Sequence, residues 1–135
     1  MGFRHVLHDE FPNLEVVALR EMQDDRERAK HEALSLLDAH ADLAAIYNVG
    51  AGNPGIASAL QEKGRNGSVI LIGHEATDAN KALLIDGTLD AVIDQNPRVE
   101  AREALNVLSN AVRGLPYDYV APRLQIIFRE NLPNE

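Results

Sequence analysis

The sequence predicts an α/β domain: three layers, a doubly wound and mostly parallel sheet in strand order 2-1-3-4, and a fifth strand at one edge. Two observations predict it. An apolar run, a polar residue where the run stops, a helix-starting residue and an amphipathic stretch follow one another four times along the chain. Strands alternating with helices in this way imply a parallel sheet with helices on both faces. The second observation is size and composition. A chain of 135 residues, 45% apolar and 25% charged, is one globular domain.

The elements follow in order. Residues 1–11 read as a short helix with Phe3, Val6 and Leu7 at helical spacing, and Pro12-Asn13 is a turn. Glu15–Arg20 is the first strand. Asp24 is read as the N-cap of the next helix, with Glu27 completing a capping box, and Ala29, Ala33, Leu36 and Leu37 form its buried stripe. Leu43–Tyr47 is the second strand. Asn53-Pro54 starts a helix with a capping residue and a proline whose missing N–H costs nothing there, and Gly64 ends it. Ser68–Ile72 is the third strand, and Thr77 caps a helix closed by Gly87. Leu89–Ile93 is the fourth strand. Asn96-Pro97 opens a helix running to Arg113, with Leu105, Leu108 and Val112 set to face the sheet. Val120–Phe128 contains Pro122, which confines it to a weakly anchored edge strand or hinge.

Composition narrows the function classes. The chain has no cysteine, so disulfides, zinc–thiolate sites and a cysteine nucleophile are excluded, and a reducing cytoplasm is the natural expectation. Net charge is −8, which repels a phosphate backbone and argues against direct contact with DNA. No run approaches membrane-spanning length.

The candidate site is the row of polar residues at the ends of the runs: Asp24, Asn48, Glu75 and Gln95. Open α/β sheets bind ligands outside the carboxyl ends of their strands. Carboxylates accept from hydroxyls, and amides both donate and accept, so this set suits a small molecule bearing adjacent hydroxyl groups. Each residue alone is equally well read as a cap or turn former; their common edge favours a site. Gly50-Ala51-Gly52-Asn53-Pro54-Gly55 matches G-x-G-x-x-G after a strand and before a helix. The bland reading, a tight glycine-rich turn, is preferred. The glycines follow the second strand, and Pro54 removes an N–H that could hold a pyrophosphate. No histidine cluster has metal-ligand spacing, no Ser/His/Asp arrangement is evident, and the chain is not expected to be an enzyme or to hold a cofactor.

Several segments carry a resemblance. Gly2-Phe3, Tyr47-Asn48, Ile72-Gly73-His74-Glu75, Asp86-Gly87-Thr88-Leu89-Asp90-Ala91, Asp94-Gln95-Asn96-Pro97 and the closing Ile126-Ile127-Phe128-Arg129-Glu130-Asn131 resemble transcription regulators of the lactose-repressor family. The match is to the C-terminal half of their effector domain, which has a type I periplasmic-binding-protein-like, flavodoxin-like fold. The resemblance implies a remnant of a first-subdomain helix over 1–11, a ligand-binding subdomain over 12–119 and a return segment over 120–135. It also implies a sugar bound in a cleft between subdomains, by Asn48, Glu75, Gln95 and, at the first strand, Asp24. Binding would alter operator affinity through a helix-turn-helix outside this sequence. Homodimers would form through the helices Pro54–Lys63 and Asp78–Asp86. Glu75 stands where the family usually has aspartate, and Asp24 where it often has an aromatic. A periplasmic sugar-binding protein of a transport system is the nearest alternative, and a nucleotide-dependent enzyme using Gly50–Gly55 a more distant one.

Overall fold

Three of the apolar runs pair as parallel strands in a computed structural model of the chain, which describes residues 2–133. The elements are α1 (Gly2–Glu10), α2 (Arg26–Ala39), β1 (Ala45–Tyr47), α3 (Asn53–Glu62), β2 (Ile70–His74), α4 (Asp78–Asp86), β3 (Ala91–Asp94), α5 (Pro97–Val112) and β4 (Gln125–Ile127), closed by a 3₁₀ turn at Arg129–Asn131. The sheet order is β1-β2-β3-β4. Ala45 lies opposite Ile70 and Ile72 opposite Ala91 in parallel register, whereas Val92 faces Ile127 across an antiparallel pair. The α/β class is as the sequence indicates.

The β1–α3–β2 and β2–α4–β3 crossovers advance in the same direction. With the usual right hand, α3 and α4 therefore lie on one face of the sheet. The core is on that face. Strand alternation sends Leu71, Val92 and Ile127 into it, where they are buried with Ile56 and Leu60 of α3, Leu84 of α4 and Leu89. Helix α2 joins through Ala29, Ala33 and Leu37, all buried. Gly55 lets it approach α3: a Cβ there would meet the Arg26 carbonyl and lie 3.0 Å from the Lys30 nitrogen.

Local punctuation fixes the helix ends. Asp25, not Asp24, caps α2, its Oδ1 accepting from the Arg28 N–H at 2.7 Å. The cap falls one residue late because Asp24 is left-handed (φ 57°) and turned toward the neighbouring turn. Thr77 caps α4, accepting from the Asn80 N–H at 3.2 Å, and Gly87 ends it with φ 81°. Asn53 and Asn96 make no side-chain cap. Asn53 is instead the first residue of α3, buried and bonded to Asn48, and Asn96 is itself left-handed at φ 55°.

Three further expectations are corrected. Glu15–Arg20 forms no ladder, so the order 2-1-3-4 does not arise and the strand at Ala45–Tyr47 is the sheet edge. The segment has the alternation, with Val16 and Ala18 half-buried and Val17 and Leu19 exposed, but among the described residues no strand pairs with it. The final strand shrinks to Gln125–Ile127, yet it is well anchored, because Ile127 enters the core at 2% exposure. Leu105, Leu108 and Val112 do not pack on the sheet; they are 67%, 61% and 89% exposed, and α5 buries no residue. Six of the ten residues of α3, from Asn53 to Leu60, are buried in the core.

Candidate ligand-binding site

Parallel β1, β2 and β3 end side by side, so the residues that follow them share one rim. A cavity of about 450 Å³ opens there, lined by Asp24, Gly50, Ala51, His74, Glu75 and Gln95 among others. That volume falls within the range of small-molecule sites. A neighbouring hollow of about 400 Å³ lies on the other side of Glu75, toward Lys81, Asp94 and Arg98.

Three of the four sequence candidates, Asp24, Glu75 and Gln95, line the larger cavity. Asn48 does not. It is 3% exposed, and its Nδ2 donates to the Gly50 carbonyl at 2.8 Å and to Asn53 Oδ1 at 2.6 Å. Its amide organises the β1–α3 turn from beneath. A neighbour five residues on satisfies the side chain, and nothing local to Asn48 announces this.

The backbone at the rim is unusual. Among the described residues, every non-glycine position with positive φ is here: Gln23, Asp24, Glu75 and Asn96. Such conformations cost of order 1–3 kcal/mol each and persist where surroundings over-determine them. Glu75 illustrates the constraint. Its N–H donates to the Ile93 carbonyl at 3.1 Å, and its own carbonyl accepts from Asn80 Nδ2 at 2.8 Å. The same Asn80 amide donates to the His74 carbonyl at 2.9 Å. Asn80, 4% exposed in the first turn of α4, thus holds the turn that presents Glu75. Sequence reading passed over Asn80; its only signal is its place three residues after the cap.

The electrostatics at the rim are acidic. Burial pushes the Glu75 carboxyl above its ordinary value, and Asp94 adds to the rise through a hydrogen bond and its charge; Gln95 partly opposes them. Glu75 Oε2 is buried without a protein partner. On the opposite side of the turn, Asp24 Oδ1 accepts from the Ala51 N–H at 2.8 Å. A Cβ at Gly50 would run into that carboxylate, so a larger residue here would displace the Asp24 side chain. A carboxylate therefore occupies the glycine-rich turn where a pyrophosphate would have to sit, and the glycines serve close packing. His74 closes the floor, with its Nε2 2.7 Å from the Tyr47 hydroxyl, and the Phe3 ring of α1 packs tilted against Tyr47, centroids 4.7 Å apart. Among the described residues no group of three His, Cys, Asp or Glu could hold a metal ion, and no helix is long and apolar enough to cross a membrane. The arrangement offers acceptors, an amide and a histidine around a half-open hollow, a set suited to holding hydroxyl groups.

Comparison with known proteins agrees with this architecture. The glucose-galactose binding protein GanP from Geobacillus stearothermophilus superposes with a TM-score of 0.88 at 23% identity, covering 98% of this chain and 48% of that one. The arabinose binding protein AraP from the same organism gives 0.85 at 22% identity, with 97% and 49% covered. An ABC transporter solute binding protein from Agrobacterium vitis with bound D-fucose gives 0.88 at 20% identity, with 96% and 45% covered. At these identities the likeness establishes the fold, and the chain spans about half the length of the structures it matches. No curated protein matches the sequence. Residues 1–116 match the family described as "Periplasmic binding protein domain". The chain belongs to that family.

Proposed function

We propose that this domain is one wall of a sugar-binding site, holding a monosaccharide or similar polyol against the rim formed by Asp24, Glu75 and Gln95, and that it catalyses no reaction. The observation that carries the reading is the convergence of these three side chains on one cavity at the strand ends, where α/β sheets take their ligands. The solved structures of like fold include a glucose-galactose binding protein, an arabinose binding protein and one with bound D-fucose. They favour a transport-type sugar receptor over a regulator, so we place the intact protein outside the cytoplasm rather than in it. The absence of cysteine is compatible with either location.

The lactose-repressor reading is the second. It is supported by the residue resemblances at Ile72–Glu75, Asp94–Pro97 and Ile126–Asn131. On that reading the sugar acts by population shift between two arrangements of subdomains, the protein is cytoplasmic, and DNA is met only through another domain. The coding region immediately upstream separates the two readings: a secretion signal supports transport, and a helix-turn-helix supports regulation.

A single wall grips weakly. Titration with D-galactose, L-arabinose and D-fucose, followed by backbone amide shifts, should move Gly50, Ala51, Glu75 and Gln95 with dissociation constants on the order of 1–100 mM. Glu75→Ala should abolish the shifts. Shifts confined to other residues, or micromolar affinity from this domain alone, would count against the two-walled site.

A further inference from the structure

At two of the strand ends an asparagine reaches back from the helix that follows. At the end of β1 it is Asn53, the first residue of α3. Its Oδ1 accepts from the strand-end residue Asn48 itself at 2.6 Å, so the Asn48 side chain is consumed by the turn and buried. At the end of β2 it is Asn80, in the first turn of α4. Asn80 leaves the strand-end side chain alone. Its amide donates to two backbone carbonyls instead, His74 at 2.9 Å and Glu75 at 2.8 Å. Its own N–H donates to Thr77 Oγ1 at 3.2 Å, so it stays fixed to the helix while it holds the strand end. The same residue type ties both turns with opposite results. One strand-end side chain is spent, and the other is left to face the cavity.

The backbone of Glu75 makes that hold necessary. At φ 66° it is left-handed, a conformation that glycine and asparagine adopt readily and glutamate rarely. Glutamate also lacks the short side chain with which asparagine or aspartate secures such a turn by itself. Two bonds clamp it from outside: its N–H to the Ile93 carbonyl of β3 at 3.1 Å, and its carbonyl to Asn80. Without the second, the backbone can relax toward negative φ and swing the side chain away. The place it would leave is a particular one. Glu75 stands between two hollows, with Asp24 and His74 lining one and Lys81, Asp94 and Arg98 the other. Its Oε2 is buried there without a protein partner.

We propose that Asn80 is a positioning residue of the sugar site: its two carbonyl bonds fix the direction in which Glu75 presents its carboxyl, and ligand affinity depends on Asn80 although Glu75 makes the contact. The ligand rests on the sugar-site reading given above, but the placement of Glu75 can be read without any sugar. Burial and the Asp94 carboxyl hold the Glu75 proton above its ordinary value, and both act only while the side chain stands where it does.

Titration of the Glu75 carboxyl carbon by NMR in the 135-residue chain, with and without Asn80→Ala, tests the assignment. The substitution removes the amide and leaves room for water at the two carbonyls. The Glu75 midpoint should fall back toward 4.5. Amide shifts induced by D-galactose at Glu75 and Gln95 should need a sugar concentration higher by a factor on the order of ten, while the far-ultraviolet circular dichroism stays that of the folded domain. Leu83→Ala, on the same helix and packed against the core, is the control: it should cost stability and leave the Glu75 midpoint in place. A purely structural role for Asn80 makes the two variants behave alike, and that result, or an unmoved midpoint in Asn80→Ala, would overturn the proposal. Should Asn80→Ala fail to fold, the unmutated chain decides. Its Asn80 side-chain amide protons should exchange slower than those of a free asparagine by a factor on the order of ten; unprotected protons would overturn the assignment as well. A Glu75 midpoint that responds to Asn80→Ala in a chain that shows no sugar-induced shifts would support the placement and overturn the sugar reading.

Discussion

The two faces of the sheet have had opposite fates. One is covered by α2, α3 and α4, and its strand residues Leu71 and Val92 are fully buried. The other presents Ile70 and Ile126 at 51% and 57% exposure, and the helices α1 and α5 bury no residue at all. The apolar stripe of α5 recurs at regular helical spacing, whereas α4 mixes its few buried residues with polar ones. Yet α4 contributes Leu84 and Asn80 to the interior and α5 contributes nothing. An amphipathic pattern states which side of a helix could be buried. Whether it is buried depends on a surface reaching it.

The sharpest way to break this contrast is to remove one leucine from each side. Leu71→Ala, at a fully buried site, should destabilise the domain by about 2–5 kcal/mol in urea unfolding. Leu105→Ala, 67% exposed on α5, should change it by less than about 0.5 kcal/mol. Similar losses at both positions would mean that α5 is packed in solution. A smaller effect separates the neighbouring aspartates that open the covered side. Asp25→Ala removes the α2 cap and should cost about 1 kcal/mol. Asp24→Ala keeps the cap and instead releases the Ala51 N–H, so it should alter sugar-dependent amide shifts more than it alters the unfolding midpoint. The reverse ranking would restore Asp24 as the cap.

The smallest expected effect is at the rim, and it depends on pH. The Glu75 carboxyl is raised above the ordinary 4.5 in the folded state. The native state therefore keeps this proton to higher pH than the unfolded chain does, and stability from it is lost as pH rises from 4.5 through the raised value. Glu75→Gln should flatten that part of the stability profile, read by thermal unfolding between pH 4.5 and neutrality. An unchanged slope would show that Asp94 and burial do not act on Glu75 as the geometry implies.

Much of the candidate site's lining was legible because strand ends are marked locally. The polar residue that halts each apolar run is visible in the chain, and the parallel arrangement then gathers Asp24, Glu75 and Gln95. Asn48 looks identical to them in the chain, yet it is buried beneath the turn with its amide on Asn53 and Gly50, partners that its own neighbours do not announce. Asn80 was overlooked for the converse reason: its importance lies in two carbonyls it reaches across a turn, at His74 and Glu75.

The sequence alone determined what short-range physics controls: the order of helices and strands from α2 onward, the Thr77 cap, the glycine stop at Gly87 and the apolar runs of β1 to β3. These depend on groups within a few residues of one another. Only the tertiary structure decided which aspartate caps α2, which face of the sheet is covered, and that Glu15–Arg20 stays unpaired. Each of those outcomes is set by a partner distant in the chain, and a residue's own neighbours carry no record of who will stand opposite it.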